Sequence, residues 1–226
     1  MKISDIQSYF CSFTKNIDNS SLQHSYWQAI GDSLTENNEW NDNNSYVNLI
    51  NKKTGIRIYN DGNKFKGYGD KEITLLNNKP NIVTVFLGTN DILSNKTLGK
   101  YNKDIIPYKS GLIGRINYIH NLLANYYSDS NIGIIIPPMN EYCLKSNGEL
   151  IKNKYGYTIL DINKAIINSA ERFNYPILDL SDDKYLNPYE NPFLYNEVSK
   201  PKVYLKGMGQ QILAIYIEKF IREKLL

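Results

Sequence analysis

Apolar residues in this chain alternate between short continuous runs and stretches in which they recur every three or four positions. A short apolar run that ends at a turn is typical of a buried strand, whereas the wider spacing is typical of a helix with one buried face. The predicted strands, in chain order, are 26–30, 56–59, 82–87, 132–136 and 177–180. The predicted helices are 45–51, 112–123, 159–173 and 207–224.

This alternation of strands and helices predicts an α/β fold. Strands that follow one another through a helix pair in parallel, because the helix carries the chain back across one face of the sheet. The run 82–87 is almost wholly apolar, which is typical of a strand covered on both faces. We therefore expect a mostly parallel sheet with helices on both sides. Residues 1–24 are polar and predict an N-terminal arm, and residues 25–226 predict a single domain without repeats or linkers.

Composition and charge exclude several classes of protein. The 226 residues are 42% hydrophobic and 22% charged, which excludes a disordered chain and a coiled coil. No apolar run reaches the roughly 18 residues of a transmembrane helix. The 26 Lys and Arg against 23 Asp and Glu are too evenly balanced to predict binding to nucleic acid. Asp5 and Gln7 interrupt the N-terminal segment, so we expect no signal peptide, and no compartment is predicted.

Polar motifs follow three of the predicted strands, at the ends where open α/β sheets bind ligands. GDSL (31–34) follows the first strand, a glycine-rich stretch (60–69) the second, and GTND (88–91) the third. Each motif by itself is also typical of an ordinary turn. Together they combine a serine hydroxyl with backbone and side-chain N–H donors, which is the combination that acyl transfer requires.

These motifs resemble the conserved blocks of the SGNH, or GDSL, hydrolase family. Residues 29–35 resemble the first block and 86–91 the third, and 134–138 and 175–180 lie where family members have similar segments. The resemblance covers roughly residues 25–226. It implies a flavodoxin-like three-layer α/β/α sandwich that hydrolyses esters of lipids, acylated sugars or other small acyl compounds. No metal or cofactor is implied.

The resemblance also implies roles for particular residues. Ser33 would be the nucleophile, and its own N–H, the N–H of a second-block glycine and the amide of Asn90 would form the oxyanion hole. An ungapped comparison places Phe65 at that glycine. A two-residue insertion moves the position to Gly67, which we prefer, with Gly62 as the alternative.

The fifth block departs from the family pattern. There the family has an aspartate and, three residues later, a histidine, shortly before a glycine and the last helix. Aligning Gly209 with that glycine places Pro201 at the aspartate and Tyr204 at the histidine. Ser33 would then lack both the base that takes its proton and the carboxylate that orients the base. A phenol has an ordinary pKa near 10, so it is mostly protonated at neutral pH and is a poor substitute.

The chain contains few replacements for this base. Of its two histidines, His120 falls on the apolar spacing of a helix, and His24 precedes the first strand, at the end opposite Ser33. The long loop 181–203 contains carboxylates that we expect to be solvated surface groups. They are Asp182, Asp183 and Glu197.

The same loop is rich in aromatic residues, and two interpretations remain open. The rings either bind a sugar face or an acyl chain, or pack the loop onto the domain. They are Tyr185, Tyr189, Phe193 and Tyr195, with Tyr204 at the end of the loop.

Two functions follow from the sequence. One is an SGNH-type serine ester hydrolase with a non-standard base, acting on a small acyl ester or an acylated glycan. The other is a catalytically inactive SGNH-fold protein that binds such a ligand or acts as a scaffold. The retained Ser33 and Asn90 favour the first, and the loss of the aspartate and histidine favours the second.

Overall fold

The computed structural model describes residues 20–38, 43–93, 96–100, 111–197 and 202–226. Most of the predicted N-terminal arm lies outside these residues, as does Pro201.

Five strands form one sheet, in the order β2-β1-β3-β4-β5. They are β1 (Tyr26–Gly31), β2 (Arg57–Gly62), β3 (Ile82–Phe86), β4 (Asn131–Ile136) and β5 (Ile177–Asp179). Every neighbouring pair is parallel, as predicted. The chain leaves β1 towards β2 and then returns to add β3 on the other side. In such a sheet the crevice for ligands opens at the carboxyl ends of β1 and β3.

Helices cover both faces of this sheet and complete the predicted three-layer α/β/α sandwich. They are α1 (Ser20–Gln23), α2 (Tyr46–Thr54), α3 (Gly111–Tyr126), α4 (Ile159–Arg172) and α5 (Gly207–Lys224). Short 3-10 helices span Thr89–Leu93, Lys184–Leu186 and Pro192–Leu194. Helices α2 and α5 pack together on one face, and α3 and α4 pack together on the other.

The central strand β3 shows why the core has two halves. Its five residues are all buried, and alternate side chains point to opposite faces. Ile82 and Phe86 join the cluster under α2 and α5, whereas Val83 and Val85 join the cluster under α3 and α4. The prediction of a strand covered on both faces is therefore confirmed.

Local signals in the sequence account for two of the helix ends. Gly55 has a φ of 73° and donates its N–H to Asn51 O at 2.8 Å, which ends α2 in the left-handed conformation that glycine tolerates. At the start of α4, the N–H of Thr158 donates to Asp161 Oδ2 at 2.7 Å, half of a capping box.

The described part of the loop 181–203 combines packed and exposed aromatic side chains. Tyr195 is buried in the cluster under α5, and its backbone pairs with Leu205 in an isolated bridge. Tyr185 is half-buried. Tyr189 and Phe193 remain 37% and 43% exposed. The packing interpretation therefore holds for Tyr195, while the rings of Tyr189 and Phe193 stay accessible.

His120 lies in the core between α3 and α4. Its ring is surrounded by those of Tyr68, Phe173 and Tyr175, with centroid distances of 5.6, 6.3 and 5.7 Å. Its Nε2 lies 3.1 Å from Tyr68 Oη. Burial lowers the pKa of His120 from 6.5 to about 3, so the imidazole is neutral in the folded protein at neutral pH.

This buried histidine predicts a loss of stability in mild acid. The unfolded chain binds a proton at His120 below about pH 6.5, and the folded chain does so only near pH 3, so stability falls as the pH drops through this range. The free energy of unfolding is measured by urea denaturation at about pH 7 and pH 5. Between these two pH values the free energy of unfolding of wild type should fall by about 2 kcal/mol more than that of His120→Gln. The comparison uses the change with pH within each protein, because the substitution itself disturbs the aromatic packing. Equal pH dependence in both proteins would contradict the assignment.

Candidate active site

Ser33 lies in a tight turn directly after β1. Asp32 and Ser33 are only 2% and 5% exposed. The carbonyl of Asp32 accepts the N–H groups of Thr35 and Glu36 at 3.1 and 2.9 Å, which closes the turn. A Cβ on Gly31 would overlap Thr35, so only glycine fits at the entrance to the turn. The turn places Ser33 at the carboxyl edge of the sheet, where the sequence predicted it.

The polar groups of Ser33 are open to a ligand. Its carbonyl accepts the side chain of Asn38 at 3.2 Å. Within the described ranges, neither its backbone N–H nor its hydroxyl has a hydrogen-bond partner. The N–H is therefore free to donate to an anion, and no described side chain is hydrogen-bonded to Oγ as a base.

Asp32 connects the Ser33 turn to the GTND motif. Its Oδ1 accepts the N–H of Leu34 at 2.9 Å, and its Oδ2 accepts Nδ2 of Asn90 at 3.2 Å. Burial, together with the nearby carboxylates of Asp91 and Glu36, raises the pKa of Asp32 to about 7, against the lowering effect of the Leu34 N–H.

Asn90 joins all three predicted motifs. It lies on the 3-10 helix Thr89–Leu93, which follows β3. Its Nδ2 lies 3.2 Å from Asp32 Oδ2 and 3.2 Å from the carbonyl oxygen of Lys66. One amide group therefore bridges the first and second motifs, and its two hydrogens are directed at these two acceptors.

The two candidate glycines of the second motif differ in their backbone N–H groups. Gly62 ends β2, and its N–H donates to Asn60 Oδ1 at 2.9 Å. The N–H of Gly67 has no partner among the residues that the structure describes. A Cβ on Gly67 would overlap the carboxylate of Asp91. Gly67 thus combines an unbonded N–H with close packing against Asp91. The N–H of Phe65 is likewise without a partner among the described residues, and Phe65 is 64% exposed at a φ of 64°.

A buried ion pair anchors the loop that carries Gly67. Lys71 Nζ lies 2.7 Å from both the carboxylate and the carbonyl oxygen of Asp61, at the end of β2. Arg115 of α3 donates to the carbonyl of Lys71 at 2.8 Å. The loop is therefore tied both to the sheet and to a helix.

Sequence reasoning assigned no role to Asp91, although it is part of the GTND motif. Asp91 is fully buried and accepts the N–H groups of Tyr68 and Gly69 at 2.7 and 2.8 Å. Burial raises its pKa to about 7, against the lowering effect of these two donors. The sequence feature that could have identified Asp91 is its position directly after Asn90. A short 3-10 helix turns Asp91 towards the glycine loop.

The segment predicted to be the fifth block packs against the loop after β4. The N–H of Lys202 donates to Glu141 at 2.8 Å, which fixes this segment against the loop after β4. Tyr204 is half-buried. Burial raises the pKa of its phenol, and Tyr142 and the carboxylates of Asp32 and Glu36 raise it further. Tyr204 is therefore protonated at neutral pH. It lies close enough to the Ser33 turn for the carboxylates of Asp32 and Glu36 to raise its pKa.

The other candidate bases lie elsewhere. His120 is enclosed in the core, and His24 is exposed before β1, at the opposite edge of the sheet. Asp183 accepts the N–H groups of two following residues and caps a 3-10 helix. Glu197 is exposed and lies 3.3 Å from Lys206, and Asp182 is also exposed.

The described residues contain no cluster of three or more His, Cys, Asp or Glu side chains that could hold a metal ion. None of their helices is long and apolar enough to cross a membrane.

Several solved structures share the fold of this chain. A protein from Lactobacillus plantarum superposes with a TM-score of 0.74 at 18% identity, over 89% of this chain and 98% of its own. A lipase/acylhydrolase from Enterococcus faecalis has a TM-score of 0.60 at 18% identity, over 89% and 97% of the two chains. The acetyl xylan esterase AlAXEase has a TM-score of 0.60 at 18% identity, over 87% and 99%.

None of the curated proteins matches the chain. A protein-family model does match it and agrees with the fold. The family model described as GDSL-like Lipase/Acylhydrolase matches residues 28–212, which include the Ser33 turn, the glycine loop, the GTND motif and Tyr204. The chain therefore belongs to the GDSL-like lipase/acylhydrolase family.

Proposed function

We propose that this protein is a GDSL-type serine ester hydrolase in which Ser33 is the nucleophile. The N–H of Ser33 and the amide of Asn90 are donors of its oxyanion hole. The observation that carries the proposal is the contact of Asn90 with the Ser33 turn, in which its Nδ2 donates to Asp32 Oδ2 at 3.2 Å. This bond places the Asn90 amide beside the turn that carries Ser33.

The proposed reaction has two steps. Ser33 Oγ loses its proton and bonds to the ester carbonyl carbon as the carbonyl electron pair moves onto oxygen; the carbonyl then re-forms, the ester C–O bond breaks, and the leaving alkoxide takes up a proton as the alcohol. In the second step water adds to the acyl-Ser33 carbonyl, the bond to Oγ breaks, and a carboxylic acid and the Ser33 hydroxyl are released. Donors aimed at the developing oxyanion stabilise it, and each contributes about 10²–10³ in rate in known sites. The Asn90 amide is one of these donors. It would share with the oxyanion one of the two hydrogens that it donates to Asp32 and to the Lys66 carbonyl.

We expect turnover to be slow because the base is altered. Removing the base alone costs about 10⁶ in rate in an unrelated serine hydrolase. The Tyr204 phenol has a raised pKa and stays protonated at neutral pH, so it is not available to accept the proton of Ser33. Proton removal from Ser33 then falls to water or to a half-exposed carboxylate such as Glu36.

A small acyl ester or an O-acylated glycan is the proposed substrate class. The similarity in fold to an acetyl xylan esterase supports this class. The exposed rings of Tyr189 and Phe193 offer apolar faces on which a sugar ring can stack.

A second candidate is a protein that binds such a ligand without cleaving it. The observation that favours it is the protonated phenol at Tyr204 in place of a histidine. The same donors would then hold the ester carbonyl, and Ser33 would remain unreacted.

The first test compares wild type with Ser33→Ala on p-nitrophenyl acetate. If Ser33 is the nucleophile, the rate above buffer should fall at least about ten-fold, because the acyl-enzyme can no longer form. Ser128→Ala is the matched control, since Ser128 lies before β4 at the opposite edge of the sheet and should keep the wild-type rate. Equal rates in all three proteins would rule out the hydrolase and leave the binding protein.

The second test rebuilds the family acid and base. The double substitution Pro201→Asp, Tyr204→His should raise kcat about 10²–10⁴-fold, the usual contribution of a general base. Its pH–rate profile should gain an ascending limb near pH 6.5, where an ordinary imidazole loses its proton.

Adding Ser33→Ala to this double variant should remove the gain. A folded double variant that is no faster than wild type would contradict the assignment of position 204 as the missing base.

A further inference from the structure

Phe65 occupies a strained position in the turn that follows β2. The N–H of Lys66 donates to the carbonyl of Asn63 at 3.3 Å, so Lys64 and Phe65 are the two central residues of a β-turn. Phe65 has a φ of 64°, whereas the φ of Lys64 is not positive, which is the pattern of a type II turn. Glycine is the usual residue at this second central position, because a side chain there meets the following carbonyl. A phenylalanine at this position is therefore costly.

Packing of the ring onto the domain does not compensate for this strain. Phe65 is 64% exposed, and it belongs to neither of the two hydrophobic clusters of the described residues. Lys64 Nζ lies 5.9 Å from the centroid of its ring, and a cation–ring contact at so exposed a site is weak. Strained residues that the fold does not require are concentrated where ligands bind.

The start of this turn is fixed against the Ser33 turn. The N–H of Asn63 donates to the carbonyl of Gly31 at 3.1 Å. A Cβ on Gly62 would overlap the backbone of Glu36, so the two chain segments are in direct contact there. These two contacts are made with the two ends of the Ser33 turn, and they keep the Phe65 turn beside it.

The end of the same turn is fixed by Asn90. Asn90 Nδ2 lies 3.2 Å from the carbonyl oxygen of Lys66 and 3.2 Å from Asp32 Oδ2, so these two acceptors are within two hydrogen-bond lengths of each other. Phe65 directly precedes Lys66. The exposed ring therefore belongs to the residue next to the carbonyl that Asn90 binds.

A second exposed apolar side chain lies on the helix of Asn90. Leu93 ends the 3-10 helix that begins at Thr89, and it is 56% exposed. Side chains three residues apart lie on the same face of a 3-10 helix, so Leu93 shares a face with Asn90. Phe65 and Leu93 thus bring exposed apolar groups to the two segments that the Asn90–Lys66 bond joins.

We propose that Phe65 and Leu93 form an apolar subsite for the acyl chain of the ester, and that Phe65 determines a preference for chains longer than acetyl. The proposal rests on the proposed function, in which the Asn90 amide binds the ester carbonyl. The acyl chain is bonded to that carbonyl carbon and so begins beside this amide. Neither side chain has a hydrogen-bonding group, which suits an alkyl chain better than the hydroxyls of a sugar.

The experiment compares kcat/KM for p-nitrophenyl hexanoate with that for p-nitrophenyl acetate. The ratio of the two should exceed about ten in wild type, since each methylene fully removed from water contributes about four-fold to binding. Phe65→Ala should lower this ratio at least about five-fold, and Phe65→Leu should keep most of it. A merely structural effect on Ser33 or its donors would change both rates together, because the two esters share the carbonyl and the leaving group.

Phe65→Gly separates the ring from the strain. It should lower the ratio as Phe65→Ala does, and it should raise Tm by about 2–4 °C, because glycine adopts a positive φ without strain. A Tm below that of wild type would show that the ring stabilises the fold, and this would overturn the argument that the ring serves a ligand.

Leu226→Ala is the control for removing an exposed apolar side chain. Leu226 is 52% exposed, and the carbonyl of Leu225 accepts Asn131 Nδ2 at 3.0 Å at the start of β4, which is the edge of the sheet opposite Ser33. This variant should keep the wild-type ratio. Three results would contradict the subsite. They are a wild-type ratio of one or less, an unchanged ratio in Phe65→Ala, and an equal fall in Leu226→Ala.

Titration with methylboronic and pentylboronic acids distinguishes failure of the subsite from failure of the hydrolase. The boron accepts a lone pair of Ser33 Oγ, an Oγ–B bond forms, and the hydroxyl proton passes to the buffer, so no turnover is needed. If wild type cleaves neither ester but prefers the pentyl compound, and Phe65→Ala loses that preference, the hydrolase is wrong and the subsite stands. Ester cleavage with the same preference in both proteins would mean the reverse. Wild type that neither cleaves the esters nor binds the boronic acids would overturn both.

Discussion

The site depends on one side-chain amide. Asn90 Nδ2 is shared between Asp32 of the nucleophile turn and the carbonyl of Lys66 in the glycine loop. These two segments follow different strands, and no covalent connection keeps them at a fixed distance. An amide has two hydrogens about 120° apart in one plane, so satisfying both acceptors determines where each segment lies relative to the other. Loss of either bond would let these two segments separate.

Two buried carboxylates surround this amide. Burial raises the pKa of both Asp32 and Asp91 to about 7, so near neutral pH each exchanges between charged and neutral forms. Such groups contribute little to stability, because desolvation offsets the hydrogen bonds that they accept. Titratable groups with pKa values displaced towards neutrality are concentrated at functional sites. Asp32 accepts the Asn90 amide, and Asp91 accepts two N–H groups of the glycine loop.

Donors are thus well prepared at this edge of the sheet, whereas proton acceptors are not. Tyr204, the residue predicted at the position of the family histidine, has a pKa raised by burial and by the carboxylates of Asp32 and Glu36. The phenol is therefore protonated at neutral pH. The arrangement suits the binding of a carbonyl or an oxyanion, and efficient turnover depends on a base that Tyr204 does not provide.

The sequence predicted where the strands and helices lie, that the sheet is parallel, and which motifs follow which strands. These features depend on apolar spacing and on chain order, which are local properties, and the tertiary contacts reinforced them. The positions of Ser33 after β1 and of Asn90 after β3 followed from their motifs for the same reason. The sequence already favoured Gly67 over Gly62, but only the tertiary structure shows that the N–H of Gly62 is bonded to Asn60 and that the N–H of Gly67 has no partner among the described residues. The bonds of Asp91 to the glycine loop likewise join segments more than 20 residues apart, which no local pattern encodes.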